Sequence, residues 1–242
     1  MSKQIKLSIL GDSISTFANI SNNSNKYNST IGNNRVYYGG KEYLGTYCVL
    51  DENQTWWNIV LNNSSLTLCV NNSWSGSLVL DSNPLACGYL SRSNNLHNDY
   101  TNEIPDVIIV YLGTNDANHL EVNIGEYNQV EIDEFVKSKK QPKTFTEAYA
   151  LMLYNLKYNY PNSVIYGFTL LPFAYVNKER ENKIYEIMCK LLNHFNINIV
   201  DLHKDCNIKL NDTYFAEKGY IHPNEKGMNA IAQTFLNVFN NR

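Results

Sequence analysis

The residues of this sequence that offer chemistry stand in four short polar turns. The first turn, with the sequence GDS, ends at Ser13 and follows a short apolar run. A serine at a strand-to-helix turn lies at the carboxyl edge of a sheet, with its backbone N–H near a helix N-terminus, where developing negative charge is favoured. Taken alone, however, Ser13 is better explained as the cap of that helix.

The other three turns contain a glycine, an asparagine and a histidine. Gly76, in the sequence NSWSGS, follows a second apolar run and can bring a backbone N–H close to a substrate. Asn115, in the sequence GTND, follows a third run, where a structural Asn- and Asp-rich turn is a fair competing interpretation. His222 begins the sequence HPN, and a lone histidine beside a proline is more often structural than catalytic. The case for chemistry therefore depends on the four turns together.

Five apolar runs, rich in β-branched residues, alternate with helical patterns along the chain. Such continuous runs predict strands that are buried on both faces of a parallel sheet. The predicted strands cover Ile5–Leu10, Leu66–Val70, Val107–Leu112, Val164–Leu171 and Ile197–Leu202. Apolar residues at helical spacing predict helices over Thr55–Asn62, Phe145–Asn159, Val176–Phe195 and Glu225–Phe239.

This alternation predicts an α/β protein with a three-layer α/β/α sandwich. Right-handed crossovers then give a doubly wound, mainly parallel five-stranded sheet, whose ligand site lies beyond the carboxyl ends of the strands. Residues 1–242 contain no internal repeat and no linker, and we interpret them as a single domain. Two long polar segments, Ser21–Gly45 and Asp116–Thr144, are predicted to form walls of the ligand site.

Composition excludes several classes of partner. The chain is 43% hydrophobic and 18% charged, which is enough apolar material for a sizeable core. Its net charge of -3 and the absence of a long basic run argue against a nucleic-acid partner. No apolar run approaches the roughly 18 residues of a membrane span. Because no signal-peptide pattern is visible and the 5 cysteines form no CxxC pair, we expect a cytoplasmic protein with reduced thiols.

No cofactor or metal is expected from the sequence. The histidines other than His222 show no spacing typical of metal ligands, and no acidic cluster accompanies them. They are His97, His119, His194 and His203. A glycine-rich nucleotide-binding loop is also absent from the sequence.

Taken together, the four turns resemble the four sequence blocks of the SGNH hydrolase superfamily, the GDSL-like lipases, acylhydrolases and esterases. The likeness extends between the blocks, through the sequences ISTF, TWW, PDVI and TF, and covers nearly the whole chain. It is weakest over Ser21–Asn34 and Asn118–Gln141. The resemblance implies the flavodoxin-like SGNH fold and a serine esterase or acylhydrolase that needs no cofactor.

The resemblance also implies a role for each turn. Ser13 matches the family's nucleophile, and because a neutral hydroxyl needs an adjacent base, His222 matches that base. The backbone N–H groups of Ser13 and Gly76 and the side-chain amide of Asn115 match the donors that stabilise the oxyanion. Two acidic residues of the same blocks would organise the turns rather than react: Asp12 and Asp116.

One position departs from the family pattern. The family places an aspartate three residues before the histidine to orient the imidazole, and Gly219 stands there in this sequence. Three readings follow: Glu217 or Asp212 supplies the carboxylate, the enzyme works as a Ser–His dyad, or the chain is an inactive relative. Inactivity is the least favoured of the three, because the residues that match the family's nucleophile, base and oxyanion donors are all present. The longer turn that Glu217 has to span favours the dyad slightly.

Aromatic residues around the nucleophile turn suggest the class of substrate. Five tyrosines crowd the polar segment after that turn: Tyr27, Tyr37, Tyr38, Tyr43 and Tyr47. They are either a loop packed by its own side chains or a wall that binds sugars, in which case Tyr37, Tyr38 and Trp74 are the predicted contacts. The polar, Asn-rich segments favour acetyl or other short acyl esters of a carbohydrate or similar polar carrier. The alternatives are a lysophospholipase or thioesterase for longer acyl chains, and a noncatalytic carbohydrate-binding protein on the same scaffold.

Overall fold

Five strands form one parallel sheet in the computed structural model. The model describes residues 4–17, 37–39, 49–80, 92–99, 101–138, 140–172, 177–210, 213–215 and 221–241. The strands are β1 (Ile5–Gly11), β2 (Leu66–Ser73), β3 (Val107–Tyr111), β4 (Val164–Phe168) and β5 (Asn198–Val200). All four pairings are parallel and the order across the sheet is β2-β1-β3-β4-β5, so the predicted α/β fold with a doubly wound sheet is confirmed.

Seven α-helices connect or follow these strands within the described residues. They are α1 (Trp56–Asn62), α2 (Thr114–Asn118), α3 (Gln129–Lys137), α4 (Phe145–Asn159), α5 (Lys178–His194), α6 (Leu202–Asp205) and α7 (Glu225–Asn240). The long helices begin at polar capping residues. In α4, for example, the Thr144 hydroxyl accepts from the Glu147 backbone N–H while the Glu147 carboxylate accepts from the Thr144 backbone N–H.

Helices cover both faces of the sheet and give the molecule three layers. One core lies beneath α1 and α7 and includes Trp56 and Phe235, and the other lies beneath α4 and α5 and includes Met188. Successive side chains of a strand point to opposite faces, so Ile109 of β3 belongs to the first core and Val110 to the second. Burial on both faces explains why the strands appear in the sequence as continuous apolar runs.

The structure differs from the sequence prediction in the bounds of several strands and in one helix. β2 extends three residues beyond the predicted strand, through residues 71–73, whereas β3, β4 and β5 are shorter than predicted. β4 ends at Phe168, and β5 ends at Val200, where Asp201 caps α6. Segment 116–144 contains helix α3, which was not predicted from the sequence because only Ile132 and Val136 of its residues are buried. Of segment 21–45, the structure describes only residues 37–39.

Three observations concern the sequence-based exclusions. No helix in the described part of the chain is long and apolar enough to cross a membrane. Across the same ranges, no group of three His, Cys, Asp or Glu residues is arranged to hold a metal ion. Cys69, Cys189 and Cys206 are free thiols, and the remaining two cysteines, Cys48 and Cys87, lie outside the described residues.

Candidate active site

Three neighbouring strands end side by side and lead into three of the four polar turns. Gly11, at the end of β1, pairs with Ser73 at the end of β2 and with Tyr111 at the end of β3. Each strand end continues directly into the turn that holds Ser13, Gly76 or Asn115, respectively. The parallel register therefore brings the three sequence-predicted turns to one carboxyl edge of the sheet, where α/β proteins bind their ligands.

The turn at Ser13 is a short 3-10 helix over Ser13–Ser15 that is capped by Asp12. The Asp12 carboxylate accepts a hydrogen bond from the Ile14 backbone N–H at 3.0 Å. Ser13 is thus the first residue of the helix and not its cap, so the capping interpretation of Ser13 is wrong. A glycine is needed at position 11, two residues before Ser13, because a Cβ there would lie only 2.7 Å from the Ser15 hydroxyl oxygen.

The imidazole of His222 faces the hydroxyl of Ser13. The distance from His222 Nε2 to Ser13 Oγ is 3.0 Å, which is within hydrogen-bonding range. The Ser13 side chain is nearly buried, with 5% of its surface exposed, whereas His222 is half-buried. If Ser13 donates its proton in this bond, Nε2 is the acceptor and the imidazole carries its own proton on Nδ1.

The turn after His222 is fixed by the start of α7. Asn224 caps this helix, since its side-chain oxygen accepts from the backbone N–H groups of Lys226 and Gly227 at 3.0 and 3.2 Å. The Asn224 amide also donates to the Thr213 carbonyl at 3.1 Å. A Cβ at Gly227 would overlap the carbonyl oxygen of Tyr214, so only glycine allows residues 213–215 to pass this close to the helix.

Tyr37 and Tyr38 contact the histidine turn. The Tyr37 ring stacks on the imidazole of His222, with centroids 3.3 Å apart and planes 13° from parallel. The Tyr38 hydroxyl donates to the Pro223 carbonyl at 2.8 Å, and the Tyr38 ring presents its edge to His222 at a centroid distance of 6.3 Å. These two tyrosines therefore hold the histidine turn against the rest of the site.

These positions correct the predicted sugar-binding wall. Tyr38 is fully buried and Trp74 is only 6% exposed, so neither side chain offers a surface to a sugar. The Trp74 backbone N–H instead donates to the Gly11 carbonyl at 3.1 Å. Only Tyr37 of the three predicted contacts is half-buried, and its ring is stacked on His222. The three other tyrosines of the predicted wall lie outside the described residues: Tyr27, Tyr43 and Tyr47.

Gly76 and Asn115 occupy positions that suit oxyanion donors. Gly76 has a φ of 75°, and a Cβ at this residue would meet nothing within 4 Å, so its backbone is open on that side. The Asn115 amide nitrogen donates to the Ser77 carbonyl at 2.9 Å. A side-chain amide has two N–H groups, and this bond uses one of them. The Ser77 hydroxyl in turn lies 3.5 Å from the Gly11 carbonyl, which connects the asparagine turn to the nucleophile turn.

Asp116 joins the second and third turns. Its carboxylate accepts from the Val79 backbone N–H at 2.9 and 3.0 Å and from the Leu80 backbone N–H at 3.0 Å. Burial raises the pKa of Asp116 to about 6, although these backbone bonds oppose the shift. The Arg180 guanidinium holds the same residue from the other side by donating to the Asp116 carbonyl at 2.8 Å.

A buried arginine lies beneath the turn that holds Ser13. Nη1 of Arg92 donates to the Gly11 and Asn72 carbonyls, each at 2.9 Å, and so ties the end of β1 to β2. Burial raises the pKa of Asp12 to about 7, while the Ile14 backbone bond and the positive charge of Arg92 act in the opposite direction. Neither Arg92 nor Arg180 belongs to a recognisable sequence motif, so neither was predicted from the sequence.

The candidates for a third triad member lie outside the described residues. Glu217 and Asp212 both fall there, as does Gly219, which stands where the family has its aspartate. The choice between a carboxylate partner and a dyad therefore stays a prediction from the sequence.

Comparison with known proteins gives one family. Residues 5–239 match the family model described as GDSL-like lipase/acylhydrolase. No curated protein matches the chain. A protein from Bacteroides uniformis ATCC 8492, described as a GDSL-like lipase, is 26% identical with a TM-score of 0.72, over 100% of this chain and 98% of that chain.

Two further solved structures are similar over the whole of this chain or nearly so. A protein from Bacteroides ovatus ATCC 8483, also described as a GDSL-like lipase, is 26% identical with a TM-score of 0.71, and 100% of each chain is covered. An active-site mutant of a family two carbohydrate esterase from Clostridium thermocellum is 14% identical with a TM-score of 0.58, over 99% of this chain and 64% of that chain. This last likeness concerns the fold alone.

Proposed function

The chain belongs to the GDSL-like lipase/acylhydrolase family, and from this premise we propose that it is a cofactor-independent serine esterase with Ser13 as nucleophile and His222 as general base. The observation that supports this most directly is the 3.0 Å distance between Ser13 Oγ and His222 Nε2. A hydroxyl at hydrogen-bond distance from an imidazole is the arrangement that activates a neutral serine. Both groups lie at the carboxyl edge of the sheet, beside the two other predicted turns.

In the first half of the reaction, an acyl group passes from the substrate to the enzyme. His222 Nε2 takes the proton of Ser13 as Oγ forms a bond with the ester carbonyl carbon, and the carbonyl electron pair moves onto its oxygen. When this pair returns, the bond between carbon and the alcohol oxygen breaks, and the imidazolium gives its proton to the leaving alcohol. The products of this step are a free alcohol and an ester on Ser13.

In the second half, water releases the acyl group. His222 takes a proton from the water as its oxygen attacks the acyl carbon, and returns that proton to Ser13 Oγ when the acyl–oxygen bond breaks. The net change is hydrolysis of one ester to an acid and an alcohol, with the enzyme restored. No oxidant, reductant or cofactor enters this balance.

The negative charge of each tetrahedral intermediate is assigned to three donors. They are the backbone N–H of Ser13, the backbone N–H of Gly76 and the amide of Asn115. The open backbone at Gly76 and the second N–H of Asn115 support this assignment. Such donors contribute most when they are fixed before the reaction, and the bond from Asn115 to Ser77 fixes the amide.

The proposed substrate is an acetyl or other short acyl ester of a carbohydrate or similar polar carrier. A long acyl chain needs an extended apolar groove, whereas the segments beside the nucleophile turn are polar and rich in asparagine. A series of p-nitrophenyl esters from acetate to palmitate, together with acetate release from acetylated sugars, tests this choice. A kcat/KM that rises with acyl length would favour the lysophospholipase or thioesterase alternative.

A serine-directed fluorophosphonate probe tests whether the protein is an enzyme at all. We expect the wild-type protein to be labelled and the Ser13→Ala protein to remain unlabelled, because only an activated serine reacts with the probe. Ser75→Ala is the matched control, since Ser75 is a neighbouring serine of another turn with no assigned chemistry. A wild-type protein that binds sugars but is neither labelled nor hydrolytic would be the noncatalytic relative.

A further inference from the structure

We propose that Tyr37 is a positioning residue for His222, which holds the imidazole in the plane from which Nε2 reaches Ser13. This inference rests on the proposed function, because it assigns the orientation of the proposed base. The Tyr37 ring covers one face of the imidazole at a centroid distance of 3.3 Å and an angle of 13°. A ring stacked this closely opposes any tilt of the imidazole out of the shared plane.

The backbone of Tyr37 is bonded to the nucleophile turn through one hydroxyl. The Tyr37 backbone N–H donates to Thr16 Oγ1 at 2.9 Å, and Thr16 Oγ1 donates to the Ser13 carbonyl at 2.7 Å. Thr16 is fully buried, so these bonds are sheltered from water. The ring that orients the base is therefore tied by two hydrogen bonds to the residue that the base has to activate.

Tyr38, the next residue, connects this segment to the histidine turn. Tyr38 is fully buried and its hydroxyl donates to the Pro223 carbonyl, directly after His222, at 2.8 Å. The dipeptide Tyr37–Tyr38 thus binds the histidine turn with one ring and one hydroxyl, while its backbone holds the serine turn. Stacking and hydrogen bonding together fix the distance between the two turns.

This arrangement performs part of what an orienting carboxylate does in a triad. A carboxylate selects both the plane of the imidazole and the nitrogen that faces the serine. A stacked ring selects only the plane, and the hydrogen bond to Ser13 then selects Nε2 over the flipped ring. The negative face of the Tyr37 ring also attracts the positive charge that the imidazole gains when it takes the proton.

Steady-state kinetics on a short aryl ester test the role of the ring. We expect Tyr37→Leu to lower kcat by about tenfold and to change KM by less than about twofold, because the ring acts on the base and not on the substrate. Tyr37→Phe keeps the ring and is expected to retain kcat within about twofold. Thr16→Val, which removes the bonded hydroxyl at nearly constant volume, is expected to lower kcat by a smaller factor. Tyr158→Leu, at a 76% exposed tyrosine of α4, is the matched control and is expected to leave both constants unchanged.

Proton NMR of the imidazole tests the stacking without any substrate. Ring protons that lie over an aromatic face resonate upfield, and the His222 signals are identified by their loss in His222→Ala. We expect the upfield shift to persist in Tyr37→Phe and to disappear in Tyr37→Leu. Wild-type kcat in Tyr37→Leu, a change in KM alone, or unshifted His222 signals would each overturn the inference. If the wild-type protein shows no ester turnover that is lost in Ser13→Ala, the proposed function is overturned. This inference then fails with it, whatever the imidazole signals show.

Discussion

Ser13 and His222 depend on neighbours that do no chemistry. Asp12 caps the 3-10 turn, so the hydroxyl of Ser13 is not used for capping and is available to the imidazole. Thr16 closes the same turn by donating to the Ser13 carbonyl. At the scale of single residues, the candidate site separates into groups that react and groups that place them, and each class predicts a different kinetic result.

Removal of either reacting group is expected to abolish most activity. Ser13→Ala removes the proposed nucleophile and His222→Ala removes the proposed base, and both substitutions shorten a side chain without adding volume. We expect turnover of a short aryl ester to fall close to the uncatalysed rate in both variants, with melting temperatures near that of the wild type. Wild-type turnover in either variant, with contaminating esterases excluded, would contradict the proposed mechanism.

Asn115→Ala is expected to lower kcat much more than it changes KM. The amide is assigned to charge that exists only in the transition state, so its loss has little effect on substrate binding. Loss of one oxyanion donor in another serine hydrolase costs roughly 10²–10³ in kcat, and we expect a similar order here. Asn118→Ala, in the same short helix α2, is the control for general effects on that helix. An effect confined to KM would identify Asn115 as a substrate contact.

At the scale of elements, helix α7 fixes the position of His222, the proposed base. The cap of α7 is Asn224, and the close passage of residues 213–215 across Gly227 fixes the chain that precedes the histidine turn. Pro223 forms an isolated antiparallel bridge with Phe215 in the same segment. The position of His222 is therefore set by the packing of a short segment against the first turn of a helix.

Gly227→Ala tests this packing because two effects of the substitution change the free energy of unfolding in opposite directions. Alanine in a helix is favoured over glycine by about 1 kcal/mol, which would stabilise the protein. A Cβ at this position overlaps the Tyr214 carbonyl, and such overpacking costs roughly 1–3 kcal/mol. We expect the overlap to dominate, so that the free energy of unfolding in urea falls and kcat falls with it. Asn229→Ala, at an exposed position of α7, is the control, and an equal gain in stability in both variants would show that the contact with Tyr214 is unimportant.

The elements that the sequence predicts are those whose signal is local. Phe145–Asn159 has the predicted bounds, because its apolar period and its capping residues are all contained in one stretch of chain. The four polar turns are equally local, and they were recognised from short sequences. Helix α3 was missed because its surface is mostly polar and its few buried residues give a weak pattern.

The missed parts of the site depend on contacts between distant residues. Arg92 and Gly11 are separated by 81 positions, and Arg180 and Asp116 by 64, so no sequence window contains both partners. The stacking of Tyr37 on His222 also joins distant positions, and from the sequence this tyrosine was either part of a self-packed loop or a contact for a sugar. Tyr38 does not bind a sugar because its side chain has no exposed surface, and this burial could not be predicted from the sequence.

At the scale of the whole molecule, two buried carboxyl groups make stability depend on pH. Burial raises the pKa of Asp12 to about 7 and that of Asp116 to about 6, from an ordinary value of 3.8. A folded-state pKa above the unfolded value means that the folded protein binds more protons between these values. Stability therefore falls as the pH rises from about 4 to about 7.

Asp12→Asn is expected to remove part of this dependence. Asparagine keeps an oxygen that can accept from the Ile14 backbone N–H, and it has no charge to desolvate. Melting temperatures from pH 4 to pH 8 should therefore vary less in the variant than in the wild type, and the variant should be the more stable of the two at pH 8. Asp116→Asn is the contrasting variant, because it loses a carboxylate oxygen that accepts from a backbone N–H. A variant at Asp12 that is less stable than the wild type at pH 8 would show that its charge is needed.

The proposed nucleophile, Ser13, and the proposed base, His222, are 209 positions apart in the sequence. During synthesis, the Ser13 turn leaves the ribosome long before His222 is added. Strand β1 can pair only after its two neighbouring strands, β2 and β3, have been synthesised. On the proposed mechanism, hydrolytic activity would arise only after the segment with His222 and helix α7 has docked, so a partly made chain would expose no activated serine. In refolding experiments, recovered turnover would report the last assembly step and not the formation of the sheet.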